Sequence, residues 1–256
     1  MCEYDQNLNL LSAGRVNTED FDTKPTWNFI GLEDARLFEW EGKLYLCGVR
    51  RDCYDDKGKG RMEMAEIEFI NGEWKEVSRN PIPAPGDDSS YCEKNWMPIL
   101  DMPFHFVKWT NPTQVVKYDI EKRTTTEVVL DENKLNQNFH KDLRGGSQVI
   151  RINQNQRMAF THETTLLRDP FYRKDGDYAH RVVIWDNDWN IVHSSEKFHF
   201  LGTYYNYVNS QDYNIEFVTG AAVYGDDILI SFGFQDNASY ILKMPTQVFV
   251  DFLTEG

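Results

Sequence analysis

The sequence predicts an all-β fold, and within that class a β-propeller. Short runs of alternating apolar and polar residues, bounded by Gly, Asn, Asp and Pro, occur along the chain, whereas helical periodicity is hard to find. The runs group into about four repeats of about 50 to 70 residues, each with about four strands. This length and number of strands are typical of propeller blades. A double-sheet sandwich is the alternative, because the repeats share a pattern more than a sequence.

The first repeat opens on two acids and an arginine at the start of a strand, in Gly31-Leu-Glu-Asp-Ala-Arg36. Strand alternation places Asp34 and Arg36 on one face of that strand, and Glu33 and Ala35 on the other. A carboxylate held beside a guanidinium has its charge and orientation fixed, which suits a functional acid. The other interpretation is a hairpin whose surface carries an ordinary salt bridge.

Further strands follow in each repeat, separated by turn signals such as Glu41-Gly42 and Asn71-Gly72. Strands are predicted over 43–49, 61–70 and 73–77 in the first repeat; over 103–109, 113–119 and 123–130 in the second; over 156–163, 178–185 and 191–200 in the third; and over 215–224, 228–234 and 238–244 in the fourth. Residues 246–253 are predicted to form a short helix or a last strand.

Residues 1–30 are polar and are predicted to be a separate N-terminal segment, the remnant of a first blade, with one strand around 9–16. Residues 31–256 are predicted to be the propeller domain. A closed propeller hides its sheet edges by joining the last blade to the first. Because the segment supplies too few strands for a whole blade, we expect either an open arc of blades or a chain that is truncated at its N-terminus.

Composition and charge narrow the classes of function. The formal net charge of −14 argues against binding of nucleic-acid phosphates, since such proteins concentrate Lys and Arg. No apolar run approaches the length of a membrane span, and the N-terminus lacks the pattern of a signal peptide. The 4 cysteines show no Cys-x-x-Cys spacing, so reduced thiols in the cytoplasm are the simplest interpretation, with secretion inside a larger precursor as the alternative. Aromatic residues, 14% of the chain, suit both strands and surfaces that stack on sugars.

Polar residues open each of the four repeats, where the innermost strands of a propeller meet its central cavity. Polar openings in every repeat indicate a shared pocket. The openings contain Glu33, Asp34 and Arg36; Glu93, Lys94 and Asn95; Arg144 and Ser147; Glu216 and Thr219; and to these we add His162 and Asp236. The 6 histidines form no metal-binding pattern, and the sequence contains neither a nucleophile elbow nor a phosphate-binding loop. No metal and no organic cofactor is therefore predicted.

Several short motifs follow one another along residues 31–244. They are Gly-Leu-Glu-Asp-Ala-Arg (31–36), Glu-Lys-Asn (93–95), Arg-Gly-Gly-Ser (144–147), Thr-His (161–162), Phe-Val-Thr-Gly-Ala (217–221) and Gly-Phe-Gln-Asp (233–236). None is specific alone, but their order resembles glycoside hydrolase family 130, which contains β-mannoside phosphorylases and β-1,2-mannosidases. The resemblance implies a five-bladed propeller with its site at the centre, of which four blades and a partial N-terminal strand are visible in this sequence.

The resemblance also implies roles for individual residues. Asp34 matches the family's proton-donating aspartate, while Arg36, Lys94, His162 and Asp236 match residues that line its sugar and phosphate subsites. The expected substrate-binding residues are Glu33, Arg36, Lys94, Asn95, Glu216 and Asp236, and the expected phosphate-binding residues are Arg144, His162 and Lys94.

The sequence departs from the family pattern at several positions. The proline of Glu-Asp-Pro-Arg is Ala35, and the family's Tyr-His-Gly is Thr161-His162-Glu163. The family's His-Arg-Pro is His105-Phe106-Val107, so an arginine that binds phosphate in the phosphorylases is missing. These departures suit a divergent branch, of the kind attached to glycosyltransferases or other glycan-processing modules.

The sequence therefore predicts a propeller that cleaves β-mannoside-like glycans with inversion, with hydrolysis favoured over phosphorolysis. Such a reaction needs an acid, for which Asp34 is the candidate, and either a phosphate co-substrate or a water activated by Glu216 or Glu93. The alternatives are a non-catalytic glycan-binding module of a larger glycan-processing protein and, more weakly, a protein-interaction propeller. The expected partners are an oligosaccharide and a fused or associated glycosyltransferase module, with neither nucleic acid nor a membrane.

Overall fold

Strands make up 58% of the chain and helix 5%, and the strands form a β-propeller with four blades, so the predicted fold class is confirmed. The structure is a computed structural model that describes residues 1–86, 89–130, 136–137, 142–168, 174–201 and 214–255. The chain divides into two compact units, a first of Met1–Lys94 with Tyr118–Thr125 and a second of Asn95–Lys117 with Thr126–Gly256.

The first blade is a five-stranded sheet that contains two tight hairpins, β4–β5 and β6–β7. Its strands are β3 (Val16–Asn17), β4 (Leu32–Trp40), β5 (Lys43–Arg50), β6 (Arg61–Ile70) and β7 (Glu73–Ile82), in the order β3-β7-β6-β5-β4. The turn Glu41-Gly42 has φ angles of 53° and 77°, and Asn71-Gly72 has 54° and 89°. Positive φ at both central residues is what a type I′ hairpin turn requires, so the two predicted turns are confirmed.

The N-terminal residues contain more strand than the sequence predicts. β1 (Cys2–Tyr4) and β2 (Leu10–Ala13) form a two-stranded antiparallel sheet, and a short 3-10 helix covers Glu19–Phe21. β3 pairs with β7 in parallel, so this part of the N-terminal segment contributes a strand to the first blade. The prediction of one strand around 9–16 was therefore wrong in number.

The second blade is a four-stranded antiparallel meander. Its strands are β8 (Met97–Pro98), β9 (His105–Trp109), β10 (Gln114–Asp119) and β11 (Thr124–Leu130), in the order β11-β10-β9-β8. The positions of β9, β10 and β11 agree with the predicted runs, because each run is bounded by turn residues, whereas β8 was not among them.

The third blade has a divided first strand and a long central hairpin. Its strands are β12 (Arg144–Gly145), β13 (Ile150–Asn153), β14 (Gln156–Arg168), β15 (Lys174–Asp186) and β16 (Ile191–Ser194). Both β12 and β13 pair with β14. Between them Gly146 lies so close to β14 that a Cβ would stand 2.6 Å from the carbonyl oxygen of Phe160, so a larger residue would force the strands apart. The central hairpin is longer than the predicted 156–163 and 178–185.

The fourth blade has three described strands, followed by a helix. They are β17 (Glu216–Tyr224), β18 (Asp227–Phe234) and β19 (Ala238–Pro245), and the helix is α1 (Thr246–Glu255). Phe249 and Leu253 of the helix are buried in a core with Phe160, Val218 and Ile230 of the second unit. The tail is therefore a helix, one of the two structures predicted for it, and packing of its apolar face stabilises it.

Candidate functional site

A β-bulge lies at the start of β4, within the Glu-Asp-Ala-Arg motif. The pairing of β4 with β5 shifts between Glu33 and Arg36, which leaves Asp34 and Ala35 as the bulged residues. Asp34 adopts a φ of 52°, in the left-handed region. Across the strand pair, a Cβ at Gly48 would collide with the carbonyl oxygen of Glu33, so glycine is what permits this close approach.

The bulge separates Asp34 from Arg36, so the prediction that the two side chains share a face was wrong. Asp34 is exposed, whereas Arg36 is fully buried. The guanidinium of Arg36 donates a hydrogen bond of 2.8 Å from Nη1 to the backbone carbonyl oxygen of Asp34. Burial lowers the pKa of Arg36, against the opposing effects of Cys47 and Asp34. Arg36 therefore holds the backbone of the bulge from inside the unit.

Glu33 is the perturbed carboxylate of this bulge. Its Oε1 atom is buried and accepts no hydrogen bond from the residues that the structure describes. Burial raises the pKa of Glu33, Arg51 and Lys94 lower it, and the charges of Asp34 and Asp52 raise it, with a net rise. Glu33 therefore keeps its proton to a higher pH than an ordinary glutamate. Its buried Oε1 atom can also accept a hydrogen bond from a ligand.

Three of the predicted site residues lie together in the first unit. Lys94 is exposed and close enough to Glu33 for its charge to act on that carboxyl. Asp34 is exposed beside them, as a proton donor to a ligand must be. Glu93, one of the two acids predicted to activate water, is buried, and its backbone amide donates to the carbonyl of Gly60.

Arg144 and His162 are directly opposite each other in the second unit, as partners in the β12–β14 pair. The guanidinium of Arg144 is engaged by Asp142 at two points, with Nε–Oδ1 at 2.9 Å and Nη2–Oδ2 at 3.1 Å. These hydrogen bonds raise the pKa of Arg144. A phosphate at this position would therefore compete with a carboxylate that is already in place.

His162 lies among aromatic rings of the second unit. It is buried, stacks on Tyr178 with ring centroids 5.8 Å apart, and meets the edge of Phe217 at 4.8 Å.

Asn95 is also buried, with a φ of 64°. Its carbonyl oxygen lies where a Cβ at position 145 would stand, so only glycine fits at position 145.

Glu216 is a buried anchor of the second unit. Its Oε2 accepts from the amide of Phe200 at 2.8 Å and lies 3.2 Å from His180 Nε2, while its Oε1 accepts from the amide of Leu201 at 2.8 Å and from Asn214 Nδ2 at 3.4 Å. Burial alone would raise the pKa of Glu216, but these donors outweigh it and lower the pKa.

His180 is the neutral partner of this carboxylate. Burial lowers the pKa of His180 despite the attraction of Glu216, which favours the neutral ring, and its Nε2 lies within hydrogen-bond distance of Glu216 Oε2. Protein donors therefore occupy both oxygens of Glu216, and its parts in sugar binding and in activation of water stay predictions.

Asp236 lies in the loop between β18 and β19. It is exposed with a φ of 49°, and the preceding Gln235 donates its amide to the carbonyl of Ile215 at 2.8 Å. This contact places Asp236 at the end of the blade where β17 begins. The predicted residues thus fall into two groups, and their convergence on one axis stays a prediction. Glu33, Asp34, Arg36 and Lys94 belong to the first unit, and Asn95, Arg144, His162, Glu216 and Asp236 to the second.

Residues next to the bulge that the sequence reasoning did not assign add to the first group. Arg51, which follows β5, is the strongest charge acting on Glu33. Asp52 Oδ2 accepts from the amide of Gly31 at 3.0 Å and borders a cavity of about 380 Å³ against the N-terminal segment. The signal that could have found them is the run Arg50-Arg51-Asp52 at the end of β5, the strand that pairs with the bulge.

The described part of the chain also bears on metal ligands, membrane-spanning helices and cysteines. Within it, no three His, Cys, Asp or Glu side chains are grouped so that they could hold a metal ion, and no helix has the length and apolarity needed to cross a membrane. The cysteines are free thiols. Cys47 is buried on β5 opposite Arg36, and burial raises the pKa of its thiol to about 12.

Comparison with known proteins finds likeness at the level of structure. No family model and no curated protein sequence matches the chain. A β-1,2-mannobiose phosphorylase from Listeria innocua, solved with β-1,2-mannobiose, superposes with a TM-score of 0.54 at 12% identity over 88% of this chain and 61% of its own. A glycosyl hydrolase from Bacteroides ovatus gives a TM-score of 0.56 at 11% identity over 84% of this chain and 65% of its own.

A third solved structure comes from work on family GH130, described as mannoside phosphorylases that include hydrolases of β-1,2 mannosidic linkages in Candida mannan. It has a TM-score of 0.56 and 12% identity over 84% of this chain and 66% of its own. The chain spans less than two thirds of the length of each of these three structures. The resemblance predicted from the motifs is confirmed at the level of fold: the chain has the β-propeller fold of glycoside hydrolase family 130 structures.

Proposed function

We propose that this protein is a carbohydrate-active propeller that acts on β-mannoside-like glycans and cleaves them with inversion, using water. The observation that carries the proposal is the bulge of β4, where an exposed carboxylate stands beside a perturbed one. The backbone of Asp34 is held by a hydrogen bond from Arg36, Glu33 has a raised pKa, and Lys94 is near enough to Glu33 for its charge to act on that carboxyl. The likeness in fold to mannoside phosphorylases and hydrolases adds support for the sugar class.

Asp34 is the proposed general acid of the reaction. An inverting glycosidase needs a carboxylic acid to protonate the leaving oxygen, and a base to take a proton from the water that attacks the opposite face of the sugar. The exposed position of Asp34 lets its proton reach that oxygen directly or through a sugar hydroxyl. The hydrogen bond from Arg36 to the backbone of Asp34 restricts movement of the bulge, which keeps the acid in position.

Hydrolysis is favoured over phosphorolysis by the surroundings of the candidate phosphate ligands. Arg144 is already bonded to Asp142 at two points, and His162 is buried among aromatic rings. Phe106 occupies the position where the family pattern has an arginine, and it is fully buried. An anion needs accessible donors. Lys94 is exposed and remains available to an anion, whereas Arg144 and His162 offer a phosphate little that is not already in use.

A non-catalytic glycan-binding module is the second candidate. It is favoured by the state of Glu216 and Glu93, the two acids predicted to activate water. Glu216 is hydrogen-bonded within the protein through both oxygens, and Glu93 is buried. A module of this kind would act within a larger glycan-processing protein, with a glycosyltransferase as a fused or associated partner. For either candidate, the free cysteines fit a cytoplasmic location.

Replacement of Asp34 with Asn separates the two candidates. The wild type should release mannose from β-1,2-mannobiose without phosphate, and Asp34→Asn should lose about 10²- to 10⁴-fold in rate, because the proton is gone while the shape remains. Asp20→Asn, an exposed acid of the same unit, is the control and should keep full activity. The anomer formed first, measured by NMR, reports inversion.

Equal inactivity of the wild type and Asp34→Asn, with sugar binding retained in calorimetry, would assign the protein to the glycan-binding class. Formation of mannose 1-phosphate that depends on phosphate would replace hydrolysis by phosphorolysis. Absence of any sugar binding by the wild type would reject both candidates.

A further inference from the structure

We propose that Phe29, Arg51 and Tyr91, called here the aromatic platform, form a stacking subsite for a second sugar ring next to the bulge of β4. This inference rests on the proposed action on glycans and names the substrate more closely, as an oligosaccharide with a sugar beyond the one at Asp34. The three residues belong to the first unit.

Arg51 organises the platform from its centre. Its guanidinium carbon lies 5.5 Å from the ring centroid of Tyr91 and 5.9 Å from that of Phe29, within the range of cation–π attraction. Its Nη2 donates to Tyr91 Oη at 2.9 Å and its Nε donates to the carbonyl of Gly58 at 2.9 Å. Both rings are therefore held by one side chain that is itself fixed to the backbone.

The rings remain open to solvent although they are held in place. Phe29 is 57% exposed and Tyr91 is 58% exposed. Tyr91 Oη also donates to the carbonyl of Lys57 at 2.8 Å, so two hydrogen bonds fix a tyrosine that contributes little to the core. An exposed aromatic ring that is already ordered loses little conformational entropy when a ligand stacks on it.

The segment that carries Phe29 is attached to the blade on both sides. Before it, Thr26 donates its amide at 2.7 Å and its hydroxyl at 3.0 Å to the carbonyl of Asp52. After it, the amide of Gly31 donates to the carboxylate of Asp52 at 3.0 Å. Phe29 thus stands on a short loop whose two ends bind one residue.

The platform lies directly beside the candidate catalytic pair. Arg51 follows Arg50, which pairs with Leu32 in the β4–β5 ladder, one residue before Glu33. The charge of Arg51 is also the strongest that acts on Glu33. The platform therefore adjoins the start of β4, where a second sugar of a glycan bound at Asp34 can reach it.

The chemistry of the patch fits a pyranose ring. The electron-rich faces of aromatic rings attract the weakly positive C–H face of a sugar, as they attract cations and ring edges. Carboxylates and an ammonium group at the same site, from Glu33, Asp34 and Lys94, accept from and donate to sugar hydroxyls. An apolar face bordered by such groups matches a neutral polyol better than an apolar peptide or a lipid.

Calorimetric titration with mannose, β-1,2-mannobiose and β-1,2-mannotriose tests the inference on the full chain, in which Asp34 is replaced by Asn throughout so that the sugars are bound without being cleaved. In this comparison the wild type is the chain with that one substitution and its platform residues unchanged. The wild type should bind the longer sugars more tightly than mannose. Phe29→Ala and Tyr91→Ala should each weaken binding of the longer sugars by about 2- to 10-fold, the range expected for an aromatic contact, and leave mannose unchanged. Tyr91→Phe keeps the ring and should retain most of the affinity.

Phe69→Ala is the matched control, because Phe69 is 61% exposed in the same blade and lies in its β6–β7 hairpin. It should change none of the affinities. In case an alanine variant unfolds, the aromatic proton shifts of the wild type on addition of mannotriose report stacking directly.

Three outcomes would overturn the inference. Unchanged affinity for the longer sugars in folded Phe29→Ala and Tyr91→Ala, with wild-type binding intact, would reject the platform and leave the proposed function standing. An equal loss for mannose and mannotriose would place the rings at the first sugar instead. Failure of the wild type to bind any of the sugars would reject the platform and the proposed function together.

Discussion

Replacement of Glu216 with Gln probes the buried anchor of the second unit. Each carboxylate oxygen of Glu216 faces two donors, so an amide nitrogen in either place meets an N–H group. In one orientation it opposes the amide of Phe200 at 2.8 Å, and in the other the amide of Leu201 at 2.8 Å. A buried donor without a partner costs about 1 to 3 kcal/mol, and the remaining hydrogen bonds lose their charge assistance. We therefore expect the free energy of unfolding to fall by about 2 to 4 kcal/mol.

Thermal and urea unfolding measure the effect. A loss of that size lowers Tm by about 4 to 16 °C for a chain of this length. Glu196→Gln, an exposed glutamate of the same unit, is the control and should leave Tm unchanged. If Glu216→Gln were as stable as this control at pH 7, the anchoring role of the carboxylate would be wrong.

The stability that the Glu216 carboxylate contributes should depend on pH in a defined direction. The pKa of Glu216 in the fold lies below its ordinary value of 4.5. The ionised carboxylate therefore stabilises the fold at pH values above 4.5, and this contribution is lost as the pH falls below 4.5 through the lowered pKa. The difference in the free energy of unfolding between wild type and Glu216→Gln should have its full size at pH 7 and should become smaller as the pH falls below 4.5.

Two further substitutions test local geometry. Gly48→Ala should destabilise the first unit by about 1 to 3 kcal/mol, because the new Cβ meets the backbone at Glu33 and leaves little room beside Leu32. Urea unfolding measures this loss. The control is Gly14→Ala, which has open space around it and should not change the stability. Arg144→Ala should cost less than about 1 kcal/mol, because both partners of its ion pair are substantially exposed, and a larger loss would show that the pair holds β12 in place.

The sequence predicts the hairpins of the first blade well because their signals are local. Glu41-Gly42 and Asn71-Gly72 sit between alternating runs, and glycine meets the backbone requirement of the turn itself. The bulge at Asp34 was not predictable in the same way. Its signal, Gly48, is on the neighbouring strand, and simple alternation gives no hint that the pattern is interrupted.

The candidate site was predictable by residue type and only partly by role. The acids at 33 and 34 stand out in the sequence, but the burial that perturbs Glu33 depends on packing. Glu216 was predicted to be a ligand-binding acid. Its observed donors include the backbone amides of Phe200 and Leu201, which follow β16, and a pattern of side chains cannot predict hydrogen bonds from backbone amides. The long β14–β15 hairpin was underestimated because polar and charged residues in its far half are typical of loops.

The burial of Cys47 gives the molecule an internal reporter. All 4 cysteines lie in the first unit, and Cys47 is the one that the fold covers completely. A thiolate is the species that alkylating reagents attack, and the raised pKa and lack of access both suppress that attack while β4 and β5 stay paired. In a variant whose other cysteines are serine, the rate of alkylation of Cys47 would measure how often this strand pair opens. Tryptophan fluorescence has sources in both units, whereas this labelling rate follows only the unit that carries Asp34.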